Sequence, residues 1–281
     1  LLFRHSLQIH KPDEDRMTAL TGHEMEKLSM NNKNNTWVGL QITSLASLAA
    51  IVFKLNTYND VWLTTSLLCF GVLTPILVFA LRNRNRLSFL MTIAPTIVII
   101  RIGDQNDISL VGWLTALSLI PLLVQFIGIA KEIYKESPNE FALTCIRLFL
   151  GLNFLTHGTE KLFAGTQIHN GMRGYFGQVA GFDAVGPWFT DLMIYVGGIT
   201  EISVALLIGW GLFTRIGVLW AIAYLIAAEL FSGHFFTGYT WALPGGGWEF
   251  PFFWAMALYP FLFLHNQGAL SLDSMLRRVR A

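Results

Sequence analysis

Charge is scarce in this chain. Asp, Glu, Lys and Arg make up 13% of its 281 residues, where a soluble domain usually carries about 25%. That deficit, beside 53% hydrophobic residues, points to a bilayer rather than to water. Net charge is +1, with no basic run interleaved with aromatics, so a nucleic-acid face is not expected. Cysteine is nearly absent. Cys69 and Cys145 form no C-x-x-C, which excludes a redox dithiol and a structural zinc site. No P-loop, dinucleotide fingerprint or G-x-S-x-G is present, so no nucleotide cofactor is expected. The opening LLFRHSLQIHKPDEDR has no apolar core and no small-residue cleavage site, unlike a signal peptide.

What the chain does have is long apolar runs. Residues 1–35 are polar and read as a cytosolic tail. Eight candidate spans follow, near 36–54, 61–81, 87–101, 108–130, 141–163, 189–213, 216–237 and 248–265. Each is sized against a hydrocarbon core of about 30 Å. The expected fold class is all-α, a polytopic transmembrane helical protein. The third run is the weakest, being short and containing Pro95; a re-entrant segment is its alternative. Lys and Arg near span ends set orientation. Lys27, Lys33, Arg82, Arg84, Arg86, Lys131, Lys135, Arg215, Arg277, Arg278 and Arg280 fall on one side, expected to be cytoplasmic with both termini. Lys54, Arg101, Lys161 and Arg173 fall on the other. A break at KESPNE divides the chain near residue 136 into two four-span parts.

The halves differ. The first four spans hold almost no ionisable residue in their interiors, whereas the later four hold Arg147, His157, Glu160, Glu201 and Glu229. An ionisable group in a span costs about 2.5–3.5 kcal/mol on the insertion scale. Helical spacing puts Arg147, Gly151, Phe154, Gly158 and Lys161 on one face, and Asn153, His157 and Glu160 on the next. Gly151 and Gly158 should admit a close helix neighbour. Gly197, Glu201, Ala205 and Gly209 form a matching ladder. Because buried charges pair, an Arg147–Glu201 ion pair is expected in the bundle core. His157 and Glu229 fall at similar depth and are expected to meet. His157 reads either as an interfacial donor or as a proton-carrying or quinone-binding group. Lys161 reads most simply as a snorkelling anchor, and Glu249 as a residue favouring a helix start. His157 and Glu160 have the i, i+3 spacing of di-iron bundles, but a second such pair is missing, so no metal site is expected. The glycine-rich 164–188 and 238–247 connections are long enough to be functional.

Several of these residues carry a resemblance. RLFLGLNFLTHGTEKLFAG, GGITEISVALLIGWGLFTRIG, GGGWEFPFFWAMAL and GALSLD resemble the DoxX family of small four-helix membrane proteins, over about 141–273. The motif elements are Arg147 and Gly151, then His157, Gly158, Lys161, Leu162 and Phe163, then Glu201 with Thr214 and Arg215, and finally Trp248 and Glu249. The resemblance implies a DoxX-like four-helix domain over 137–281, beside a four-span region at 36–136 of no assigned family. It also implies a membrane subunit linked to redox chemistry, in a bacterial inner membrane. A related branch, DoxD, belongs to thiosulfate:quinone oxidoreductase. The leading expectation is therefore a quinone or similar apolar ligand at the outer ends of the last four helices. His157, Glu160 and Glu229 would handle protons, and Asn153, His157, Lys161 and Trp248 would line the ligand. Electrons would come from a redox partner subunit, and an oligomer stays open. The alternative is a non-enzymatic structural or assembly subunit, or a small-solute permease.

Overall fold

The computed structural model describes residues 14–243, 246–264 and 268–280, with side chains over 34–243, 246–264 and 268–276. The first 13 residues of the expected tail, and the side chains of Lys27, Lys33, Arg277, Arg278 and Arg280, lie outside the described residues. Among the described residues every regular element is helical.

Among the described residues, seven helical stretches are long and apolar enough to cross a membrane. The first is the end of α1 (Glu14–Lys54) with the turn after it. Then come α2 (Val61–Ala80) and α3 (Asn85–Gln105). The weakest expected span is thus a helix of 21 residues, with Pro95 inside it. In a bundle, neighbouring helices and hydroxyls satisfy the backbone that a proline disturbs. The fourth span is two helices, α4 (Ser109–Ala116) and α5 (Leu119–Glu136), joined at Leu117 and Ser118. The fifth is α6 (Pro138–Leu162). Ser137 caps it by accepting from the Glu140 N–H, with Pro138 at the first position, so KESPNE is a helix start.

A short helix, α7 (Thr166–Gln178), lies in the long connection that follows. The sixth span, α8 (Pro187–Val204), widens into a π turn over Ala205–Gly209. The seventh, α9 (Thr214–Ser232), stops at Gly233, whose φ of 82° ends the helix. One turn, α10 (His234–Thr237), comes next. The eighth expected span is shorter than foreseen. Helix α11 (Glu249–Leu258) runs into a 3-10 turn at Tyr259–Leu262, which contains Pro260. Fourteen residues cover about 21 Å at helical rise, less than the apolar core. Residue 265, its expected end, lies outside the described residues. A last helix, α12 (Leu272–Arg280), closes the chain.

Alternating spans give the bundle two ends. One, here the lid face, gathers the 55–60, 106–108 and 163–186 connections. Asp60 Oδ2 accepts from the Thr166 N–H, Asn106 donates to the Ala164 carbonyl and Trp62 Nε1 donates to the Leu162 carbonyl. The other, the basic face, gathers the 210–213 turn and the C-terminal segment, where the Leu272 N–H donates to the Trp210 carbonyl.

The tightest packing is between α6 and α8. A β-carbon on Gly151 would land on the backbone of Gly209, and one on Gly158 would meet Ile202 at 2.8 Å and the Gly198 carbonyl at 3.1 Å. Gly151 therefore faces Gly209 as the spacing predicts, whereas Gly158 seats on Gly198 and Ile202 rather than on the expected Gly197. Small residues permit this close approach in membranes, where dispersion contacts replace the hydrophobic drive.

Candidate functional site

That glycine contact fixes which charges can meet. Gly158 lies against Gly198 and Ile202, so Glu201 sits one turn from Lys161. It is eleven residues, about 16 Å, from the level of Arg147. The expected Arg147–Glu201 pair does not form. Lys161 Nζ reaches both Glu201 oxygens, at 2.8 and 2.7 Å, and the Tyr224 hydroxyl of α9 donates to Oε1 at 2.6 Å. Glu201 is 5% exposed. Lys161 is thus no outward anchor. Its stem turns into the bundle to neutralise a carboxylate that would otherwise be stranded in oil.

Arg147 is fully buried and finds carbonyls instead. Its guanidinium donates to Ile208 at 3.0 Å, to Gly209 at 2.9 Å and to Leu270. The first two carbonyls end the sixth span, where a helix carries partial negative charge; that of Ile208 also accepts from the Gly211 N–H. The third belongs to the C-terminal segment. Arg147 therefore joins α6, the end of α8 and the chain's last stretch.

Glu160 faces the other way. Arg101 of α3 pairs with it and also with Asp104 at 2.8 Å. Glu160 and Lys161, adjacent in sequence, thus bind opposite partners: one engages the first four spans and the other the later ones. Glu229 does not meet His157; its carboxylate lies 3.7 Å from His234 Nδ1. Asn153 donates to its own helix at the Phe149 carbonyl, 2.8 Å away. Trp248 packs among Phe235, Tyr239 and Phe252. Glu249 opens α11 as expected and accepts from the Trp241 N–H at 3.0 Å.

His157 stands apart. Its side chain is exposed on α6, with no hydrogen-bond partner among the described residues, and its ring lies 6.0 Å from Trp254. Trp254 in turn packs against buried Phe154 at 5.6 Å.

Two groups escaped the sequence reading. The first is Tyr224, whose only signal was a hydroxyl in the apolar run between Arg215 and Glu229. The second lies under the lid. His169 Nε2 is 3.2 Å from Asp191 Oδ1, and Arg173 Nε is 3.3 Å from the same atom. The His169 ring stacks on Tyr195 at 5.0 Å and meets Trp62 at 5.4 Å. The i, i+4 spacing of His169 and Arg173 could have placed them on one face.

An open cleft of about 970 Å³ also lies on the lid face, between the α1–α2 turn, the α3–α4 turn and the start of α7. It does not include His157 or Glu229. Tyr58 and Asp60 line it. Burial raises the Tyr58 phenol above its usual range. For Asp60 burial pushes the same way, but donors from Thr166, Leu63 and Trp62 outweigh it and hold the carboxyl low.

Residues 142–234 match the family model described as DoxX. That segment begins in α6 and ends at His234, so it contains Arg147, the Lys161–Glu201–Tyr224 group and the glycine contact. No curated protein and no solved structure matches the chain. The helices and the family match together make this an integral membrane protein.

Proposed function

We propose that the protein is a membrane subunit of an electron-transfer system and takes a quinone or similar apolar carrier directly from the bilayer, beside His157 and Trp254. The observation that carries this reading is His157 itself. The three charged side chains of α6 within the DoxX segment, Arg147, Glu160 and Lys161, all have partners, and this imidazole has none among the described residues. A polar group left bare at membrane depth is costly. A ligand carbonyl accepting from the ring would remove that cost.

The residues present fit such a group: an aromatic wall, one hydrogen-bonding ring, and a route in from lipid. When bound, a quinone supplies the two-electron, two-proton chemistry. The chain's own part is to hold and orient. Trp254 offers a flat apolar surface, and His157 offers a proton at one ring nitrogen. Lys161, Glu201 and Tyr224, one turn away, hold further exchangeable protons in a sheltered group. Glu160 and Glu229, expected as relays, are engaged by Arg101 and His234 and do not serve here. Electrons come from a partner subunit carrying a redox centre. We take the basic face as cytoplasmic, by its Lys and Arg content, and the membrane as a bacterial inner one.

The test is a titration of decylubiquinone into purified protein in phosphatidylcholine nanodiscs, followed by tryptophan quenching. Saturable quenching is expected. His157→Ala should weaken it about tenfold, the worth of one hydrogen bond to a sheltered ligand. Trp254→Phe should remove most of the signal. Identical titrations for the parent and His157→Ala would overturn the site. They would leave the structural-subunit alternative standing.

A further inference from the structure

On the basic side of the molecule, away from His157, α5 carries a lipid-facing groove. It has a volume of about 400 Å³ and is lined by Leu123, Phe126, Ile127, Ala130, Tyr134 and Phe141, with Lys131 and Lys135. Its wall is apolar, and Tyr134 meets Phe141 edge-on at 5.7 Å. Leu123 and Lys135 are twelve residues apart, about 18 Å along a helix. That is close to one leaflet's share, about 15 Å, of the hydrocarbon core.

The lysines are placed for an anion. Lys131 and Lys135 are both exposed and one turn apart, so they share a face. Neither has an ion pair among the described residues. The carboxylate between them, Glu132, is drawn off to Arg86 of α3 at 3.4 Å. Two like charges on one turn repel each other, and they stand at the interfacial end of an apolar slot. Tyr134 lies between them, as aromatic side chains do at headgroup depth.

We infer that this groove is a binding site for one anionic phospholipid. An acyl chain lies along Leu123, Ile127 and Ala130, and the phosphate sits between Lys131 and Lys135. Anionic headgroups are favoured where basic residues border an intramembrane slot.

The full-length protein, reconstituted in phosphatidylcholine bilayers, is titrated with spin-labelled phosphatidylglycerol and, separately, spin-labelled phosphatidylcholine. The parent should prefer the anionic lipid, by about fivefold for each lysine engaged. Lys131→Gln with Lys135→Gln should abolish the preference. Arg82→Gln with Arg84→Gln, on the same side of the molecule, should leave it intact. Ala130→Trp, which fills the slot and keeps both charges, should displace both lipids. Three results overturn the assignment: a parent with no preference, an Arg82/Arg84 variant that loses as much as the lysine variant, or a groove variant that changes only the oligomeric state. The second would mean diffuse surface charge, and the third a second copy of the chain in the groove.

Discussion

The first four spans and the DoxX-matched segment solve the same problem differently. Both must place polar atoms inside oil. In the first region the polar atoms are mostly hydroxyls turned back on their own helices: Thr74 to Phe70, Thr92 to Ser88, Thr96 to Thr92 and Thr115 to Val111. The cross-helix bonds in its interior, such as Ser47 to Thr115 at 2.5 Å, are neutral, and the charged one, Arg86 to Glu132, sits near the basic face. In the second region Arg147, Lys161 and Glu201 are charged, and each is bonded to another helix or segment. A hydroxyl bonded to its own turn is cheap and does not require a neighbour. A charge demands one. The second region therefore holds its helices by bonds that depend on register, and its glycine contacts supply that register.

The sharpest break of this contrast is Arg147. Arg147→Leu takes a donor from three carbonyls at once, leaving Ile208 only the Gly211 N–H, and removes one of the ties to the C-terminal segment. A loss of about 3–5 kcal/mol is expected, because the buried Gly209 and Leu270 carbonyls are left unsatisfied at about 1–3 kcal/mol each and the bond to Ile208 is lost, measured by unfolding in mixed detergent. Thr92→Val in the first region should cost less than about 1 kcal/mol. Equal losses would erase the distinction between the regions.

Next is the Lys161–Glu201–Tyr224 group. Glu201→Gln leaves Lys161 buried and unpaired, and about 3 kcal/mol should be lost. Lys161→Met should cost a similar amount. The double variant should be milder than either alone, because no charge is then left in oil. Simple additivity in the double-mutant cycle would contradict the pairing.

The join between the regions comes third. Arg101 and Glu160 are partly exposed, at 29% and 19%, so solvent weakens their attraction. Glu160→Gln should cost about 1 kcal/mol. It should also make the unfolding transition less cooperative, since α3 and α6 lose their ionic contact. An unchanged, equally steep transition would show that packing and backbone bonds alone unite the two regions.

These partners also mark what the residue order can and cannot reveal. The spans were legible because apolar runs of the required length stand out against polar turns. The shared face of Gly151 and Gly158 was legible because it depends on one helix alone. The partner of Glu201 was not. Choosing between Arg147 and Lys161 requires the register between two antiparallel helices, and fourteen residues on α6 separate the candidates. Only the seat of Gly158 on Gly198 and Ile202 decides it. The fate of Glu160 was hidden for a related reason: its partner, Arg101, reads as an orientation signal near a span end when its span is considered alone. His169 and Asp191 come together only once α7 folds back against α8.

The smallest expected effect concerns the lid tie at Asp60. This carboxylate caps α2 through the Trp62 and Leu63 N–H groups, at 2.9 and 3.2 Å, and reaches across to the Thr166 N–H. Donors to the ionised form hold its folded pKa below the ordinary value of about 3.9. A depressed carboxylate contributes stability that is complete above the unfolded pKa, and the contribution is lost as pH falls through the lower, folded one. At neutral pH the tie is therefore intact, and it should weaken only below about pH 4. Asp60→Asn should show the acid form's behaviour at pH 7: faster hydrogen exchange at the Thr166 amide, with the buried core of α6 unaffected. The variant should then gain little further exchange there on acidification, whereas the parent should. If acid loosens Thr166 equally in both proteins, the lid is held by the His169–Asp191–Arg173 cluster rather than by Asp60. In that case the first four spans would not reach across to the lid through a charge at all.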